Sequence, residues 1–263
     1  MFEFKKRYDI NDLLEIMKLL RSENGCPWDK VQTHESIRTD LIEETYEVCE
    51  GIDCGSSEML REELGDLLLQ IVFHSQIETE QGNFNFDDVC NDICQKLVYR
   101  HPHVFGEVKV NDSDDVLKNW DALKKESKHQ NTYSDTLESV PKTFPALLRG
   151  EKVCKRAARA GLPINSAKEF ADRIRAQLDK LEANGFSADN AQNSELMGNM
   201  LLSFCNLDRI MKTDGEKALT YSTNRVIISF RDIEDKILAD GKKLEDLTEE
   251  ELQRMAEKVF SGR

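Results

Sequence analysis

Two groups of carboxylates stand out by type and spacing: Glu43, Glu44 and Glu47, and further on Glu63 and Asp66. Glu44 and Glu47 are three residues apart, as are Glu63 and Asp66, so on helices each pair projects from one turn of one face. The second pair interrupts SEMLREELGDLLLQIVFHSQIETEQ, residues 57–81, a stretch apolar enough to lie within a core. Carboxylates are costly to bury there unless they are paired or hold a metal. Two antiparallel helices, each offering two carboxylates from one turn, would make a cage of oxygens. Hard divalent cations take oxygen ligands, and magnesium in particular binds through a few carboxylates plus substrate phosphates. The cage therefore reads as a magnesium site. Di-iron bundles instead use Glu-x-x-His from two helices. The single such pair here is Glu126…His129, far from the cage in sequence.

An acidic cage repels a polyphosphate unless a cation bridges the two and basic side chains meet the remaining charge. Lys96 and Arg100 are four apart on one helical face, and Lys124 follows Trp120 by one turn. Trp120 could stack on a base while Lys124 reaches a phosphate. Each feature has a plainer reading. Glu43, Glu44 and Glu47 alone would be a solvated face, Glu63 and Asp66 a boundary stripe or a salt bridge, Trp120 a core residue, and Lys96 with Arg100 a helix-end pair. The polar stripe Glu63, Asp66, Gln70, His74 continues along residues 57–81, and His74, His101 and His103 have no metal-like spacing among themselves.

These residues need helices to position them. Apolar periodicity predicts one from Asp9 to Glu23, a break at Asn24-Gly25-Cys26-Pro27-Trp28-Asp29, then a helix from His34 to Ile52 carrying the first carboxylates. Ser56-Ser57 and Gly82 should bound the central helix, and a fourth should run from Asp87 or Asp88 to Arg100, stopped by Pro102. A fifth is expected over VLKNWDALKKESK behind Ser113-Asp114-Asp115. Residues 129–145 are polar with two prolines and read as a linker. Beyond it, helices are expected near 146–160, 167–184, 193–212, 216–240 and 247–261. The expected class is all-α, in two domains, residues 1–128 and 146–263.

The chain of 263 residues has 36 basic and 50 acidic side chains, a net charge of −14. That balance argues against sequence-independent binding of nucleic acid or of an anionic membrane. It leaves room for an anionic small substrate bound through a cation. No apolar run is long enough to span a bilayer, and MFEFKKRYDIND has no stretch fit for a signal peptide. Seven cysteines, with no CxxC, fit reduced thiols and a cytoplasmic setting better than disulfides or structural zinc.

A shift of 133 residues sets Glu63-Leu64-Gly65-Asp66-Leu67-Leu68-Leu69 against Leu196-Met197-Gly198-Asn199-Met200-Leu201-Leu202, and Glu43, Glu44 and Glu47 against Ala176, Gln177 and Lys180. Aligning Asn224-Arg225 with Gln95-Lys96 sets Ser229 against Arg100, and no tryptophan follows Trp120. This is the pattern of a tandem duplication whose second copy has lost the carboxylates and most of the basic and aromatic contacts.

Glu43-Glu44-x-x-Glu47 followed by Glu63-x-x-Asp66 resembles the EExxE…ExxD signature of the MazG nucleoside triphosphate pyrophosphohydrolases. The words Gly25-Cys26-Pro27-Trp28-Asp29, Glu63-Leu64-Gly65-Asp66-Leu67-Leu68 and Arg100-His101-Pro102-His103-Val104-Phe105 strengthen the resemblance, which is dense over residues 10–128. It implies tandem all-α bundles that form a homodimer, with magnesium on Glu44, Glu47, Glu63 and Asp66. It implies hydrolysis of a nucleoside triphosphate to monophosphate and pyrophosphate, as nucleotide-pool house-cleaning or on one narrow substrate. Lys96, Arg100, Trp120 and Lys124 fall where the family places nucleotide contacts, and Glu43 completes the motif by orienting a ligand or the water. Because residues 146–263 depart from the signature, activity is expected of the first half alone. The competing expectation is a non-catalytic helical interaction protein with a structural metal.

Overall fold

The structure, a computed structural model, describes residues 3–110, 112, 115–116, 119–120, 123, 126–127, 131–186 and 191–261. Among the described residues there are eleven bounded α-helices, two 3₁₀ turns and no strand, so the chain is all-α. It divides into two compact units, Met1–Lys124 and Lys125–Arg263. No helix among the described residues is long and apolar enough to cross a membrane.

The first unit contains α1 (Ile10–Leu20), α2 (Arg38–Cys54), α3 (Ser57–Gln81), α4 (Phe86–Arg100) and the short α5 (Pro102–Phe105). Asp9 opens α1 by accepting from the N–H groups of Asn11 and Asp12, while the Asp12 side chain reaches back to the Asp9 N–H. That reciprocal arrangement satisfies donors that a helix start otherwise leaves orphaned. Ser56 caps α3, and Gly82, in the left-handed conformation at φ 76°, ends it. The helix starts are where spacing misleads. α2 begins at Arg38 and not at His34, because Thr33 and Ser36 bond each other's backbone N–H groups and Ser36 Oγ donates to Gln32 Oε1 at 2.6 Å. Those side chains hold residues 32–37 in a turn that competes with helix. α4 begins at Phe86, since Asn85 and Asp88 form its capping box.

α1, Ile37 just before α2, and α3 share one apolar core of Met17, Ile37, Val72, Phe73 and Ile77, flanked by Leu13, Leu14, Leu68, Leu69 and Phe86 of α4. Each such fully buried side chain is worth about 1.5–3 kcal/mol relative to exposure, so this cluster is what fixes α3 between its neighbours.

The second unit contains α6 (Tyr133–Glu138), α7 (Ala146–Arg159), α8 (Ala167–Ala183), α9 (Ala191–Met211), α10 (Gly215–Ala239) and α11 (Glu249–Ser261). Leu181, Leu196 and Met200 form a buried cluster with Ile174 packed against it. The stretch expected to be a linker carries α6, capped by Thr132 and Asp135, and Val140 is only 1% exposed. Arg156 of α7 donates through Nη1 to the Thr136 carbonyl and to Ser139 Oγ, which docks this polar segment on α7. Of the span expected to form a fifth helix, residues 115–116, 119–120, 123 and 126–127 are described, and each of these is helical.

Candidate metal centre

Only Gly55 and Ser56 separate α2 from α3, so the two helices fold back on each other. Gly55 takes the left-handed conformation at φ 66° that reverses the chain. Near that turn the helices approach closely: a Cβ on Gly51 would lie 3.0 Å from the Leu60 backbone nitrogen. Moving away from the turn, the charge of Glu47 acts on Glu63 and that of Asp66 on Glu44, and Ile37, just before α2, shares a buried cluster with Phe73 of α3.

This register gathers the carboxylates. One oxygen each from Glu44, Glu63 and Asp66 can be chosen so that all lie within 4.8 Å of one another. Glu44 and Glu63 are half-buried, while Asp66, Glu47 and Glu43 are exposed. Burial, then the charges of Asp66 and Glu47, push Glu44 above the usual carboxylate range. Burial also leads for Glu63, followed by Glu47, Glu62, Asp66 and Glu50. Like charges this close favour a proton or a bridging cation. The donor set is all oxygen, with no thiol or imidazole in the trio, which fits a hard divalent ion. Glu47 acts on both half-buried members through its charge, so it borders the trio.

Lys96 is exposed on α4. Arg100, the last residue of α4, is 8% exposed, and its guanidinium lies over the Trp120 ring, 5.3 Å from the centroid. Sequence spacing couples Trp120 with Lys124; the structure couples it with Arg100 in a cation–π stack. Lys124 lies outside the described residues. Within the stripe on α3, Gln70 is buried, and among the described residues neither its Oε1 nor Nε2 of the half-buried His74 has a hydrogen-bond partner. In the second unit, the counterparts of the cage are Gln177, Lys180, Leu196 and Asn199, and Leu196 is a core residue.

The sequence reading leaves one polar cluster unnoticed. His34, in the turn before α2, bonds His74 and Glu78 of α3, and Arg21, which closes α1, holds Glu80 together with the carbonyls of Asp29 and Gln32. The side-chain partners are 40 or more residues apart along the chain, beyond any helical period. His74 on the polar stripe is the one local signal.

A family model described as the MazG nucleotide pyrophosphohydrolase domain matches residues 32–105, the segment that contains all five carboxylates, Lys96 and Arg100. The nucleoside triphosphate pyrophosphohydrolase of Escherichia coli (strain K12) is 37% identical over 253 residues, covering 95% of this chain and 96% of that protein. The nucleoside triphosphate pyrophosphohydrolase/pyrophosphatase MazG of Thermotoga maritima is 37% identical over 251 residues, covering 95% of each chain. YabN of Bacillus subtilis (strain 168) is 37% identical over 249 residues, covering 94% of this chain and 51% of that protein. Similar to such relatives almost from end to end, and with its acidic cage inside the matched segment, this chain belongs to the MazG family of nucleotide pyrophosphohydrolases.

Proposed function

We propose that the first unit hydrolyses nucleoside triphosphates to the monophosphate and pyrophosphate, with magnesium held by Glu44, Glu47, Glu63 and Asp66. The observation that carries this reading is the convergence of Glu44, Glu63 and Asp66 oxygens within 4.8 Å, on two helices of the segment that matches the family. When bound, magnesium would polarise the α-phosphate and ease ionisation of water. The chain's own groups do the rest. A cage carboxylate or the exposed Glu43 takes the proton from the water that attacks the α-phosphorus. The bond from that phosphorus to the bridging oxygen breaks, and the charge on departing pyrophosphate is met by Lys96, Arg100 and Lys124. Trp120, held under Arg100, offers an aromatic face to the base.

The second unit supports the fold without the chemistry. Leu196, the counterpart of Glu63, belongs to its apolar core, so that unit spends on packing the position that the first unit gives to a ligand. A homodimer is the assembly that fits the exposed apolar side chains on α4 and α10, among them Leu97 and Ile227.

Product analysis on purified protein tests the reading. A panel of ribo- and deoxyribonucleoside triphosphates should give monophosphate and pyrophosphate with magnesium and nothing without it. Glu63→Gln should abolish turnover. Diphosphate plus phosphate, or full activity in Glu63→Gln, would reject this mechanism at this cage.

A further inference from the structure

Outside the cage, the first unit contains a chain of three titratable groups. Nε2 of His34 lies 2.6 Å from Glu78 Oε1, and Nδ1 of His34 lies 2.7 Å from Nδ1 of His74. The two imidazole rings are nearly parallel, at an interplanar angle of 10°, with centroids 5.0 Å apart, so they meet edge to edge through their Nδ1 atoms. The other Glu78 oxygen accepts from Asn83 Nδ2 at 2.7 Å. Nε2 of His74 is buried and has no hydrogen-bond partner among the described residues.

The hydrogens of this chain can be counted. Two neutral imidazoles carry two N–H hydrogens, and three places could hold one: the His34–Glu78 contact, the His34–His74 contact and the buried Nε2 of His74. Leaving either short contact without a hydrogen would press lone pair against lone pair. Both hydrogens therefore sit in the contacts: His34 Nε2–H donates to Glu78, His74 Nδ1–H donates to His34, and His74 Nε2 is bare. Any further proton on the pair must put a hydrogen on that buried nitrogen. This holds whether the charge rests on His74 or moves to His34 with His74 changing tautomer. A buried N–H without an acceptor is costly, and a buried cation more so. Other charges do not relieve it. Glu78 on α3 and Glu35 in the turn act on His34, while Arg21 and Glu80, contributed by α1 and α3, neutralise each other.

The position of this chain gives it a role. His34 belongs to the turn that leads into α2, and His74 and Glu78 lie on α3. The link thus ties the helix bearing Glu44 and Glu47 to the helix bearing Glu63 and Asp66, at the end opposite the Gly55 turn. We propose that Glu78, His34 and His74 form a latch, closed while both imidazoles are neutral, that aligns α2 on α3, making His34 and His74 positioning residues for the metal cage, and that one further proton opens it. This rests on the cage reading for its effect on activity, and on geometry alone for its hydrogen positions. Burial, followed by the charge of His34, holds His74 below the usual histidine value of 6.5. The hydrogen bonds from Asn83 and His34 hold Glu78 below the usual carboxylate range, so the carboxylate does not take up the proton first.

The test begins with nitrogen NMR of the imidazoles in the metal-free full chain. The latch requires His34 protonated at Nε2, His74 protonated at Nδ1 and bare at Nε2, and His74 titrating below 6.5. An ordinary Nε2–H tautomer on His74, or titration at or above that value, would overturn it, whatever the enzyme assay shows. The second arm is the pH profile of pyrophosphate release at saturating magnesium in wild type, His74→Asn and His74→Ala. An asparagine amide can occupy the place of Nδ1–H but has no second nitrogen to titrate. His74→Asn should keep activity at neutral pH and lose the acid-side fall that wild type shows above the cage's own. His74→Ala should lose on the order of tenfold in kcat at every pH, as a small misplacement of reacting groups does. An acid limb unchanged in both variants overturns the latch and leaves the cage standing. Absence of turnover in wild type rejects the cage reading, and the NMR arm then judges the latch alone.

Discussion

At the scale of single residues, the cage sets like charges side by side on α2 and α3. Glu44 and Glu63 have folded pKa values raised above the unfolded ones, burial being the first cause of each. A raised folded value means the native state binds more protons than the unfolded chain. Metal-free stability from these groups is therefore full below the unfolded value of about 4.5 and is lost as pH rises through the raised values. A bound divalent ion reverses that sign by stabilising the ionised form, and ligand binding to the native state alone adds RT ln(1 + [L]/Kd). The expected result is a rise in Tm on adding magnesium that is larger at pH 8 than at pH 5. Glu63→Gln should raise the metal-free Tm at pH 8 and erase the magnesium increment. An increment equal at both pH values would place the ion elsewhere. These carboxylates were legible in the sequence because each pair repeats at one helical turn. His34 was not, because its partners His74 and Glu78 come from another helix and only folding brings them near.

At the scale of elements, the alignment of α2 on α3 decides whether four carboxylates make a site. Gly51 permits the close approach at one end, where an added Cβ would sit 3.0 and 3.1 Å from Leu60 backbone atoms that cannot swing away. Gly51→Ala gains about 1 kcal/mol of helix propensity, yet overpacking of this kind costs about 1–3 kcal/mol. A net loss of stability, read as a lower urea midpoint, is expected together with a higher magnesium requirement. Arg21 works at the other end. Its side chain is 5% exposed, forks onto Glu80 at 2.8 and 2.9 Å, and donates to the Asp29 and Gln32 carbonyls. Burial alone pushes Glu80 up, and the bonds from Arg21 and Gln76 outweigh it to hold that carboxyl low. Arg21→Ala should cost about 2–4 kcal/mol, because it strands two loop carbonyls and a carboxylate. Arg21→Lys should recover little, since an ammonium lacks the planar fork. The sequence marked the ends of α3 through Ser56 and Gly82, whose roles are local. It misplaced the start of α2, where Thr33 and Ser36 spend their hydrogen bonds on a turn. It also read residues 129–145 as a linker, because nothing in a polar, proline-containing segment announces the Arg156 contacts with Thr136 and Ser139.

At the scale of the molecule, each unit presents a helix with more apolar surface than it buries. α4 buries only Arg100 among its residues, while Ile93, Leu97, Val98 and Tyr99 are 40–50% exposed. In the second unit no residue of the 25-residue α10 is buried, and Leu219, Tyr221, Ile227 and Ile228 are 48–74% exposed. Amphipathic helices of this length are held mainly by packing of their apolar faces, so surfaces like these need a partner. In the proposed homodimer each face would be covered by its own copy, because a two-fold interface buries the same patch on each protomer. Light scattering coupled to size exclusion should then give twice the 30.2 kDa of the chain. Leu97→Glu or Ile227→Glu, which set charge into an apolar face, should shift that mass toward the protomer. If the interface completes the site around α4, Leu97→Glu should also lower activity through Lys96 and Arg100, whereas Ile227→Glu should leave turnover per folded first unit nearly intact. A protomer mass for the unsubstituted chain at micromolar concentration would remove the homodimer and leave these faces unexplained.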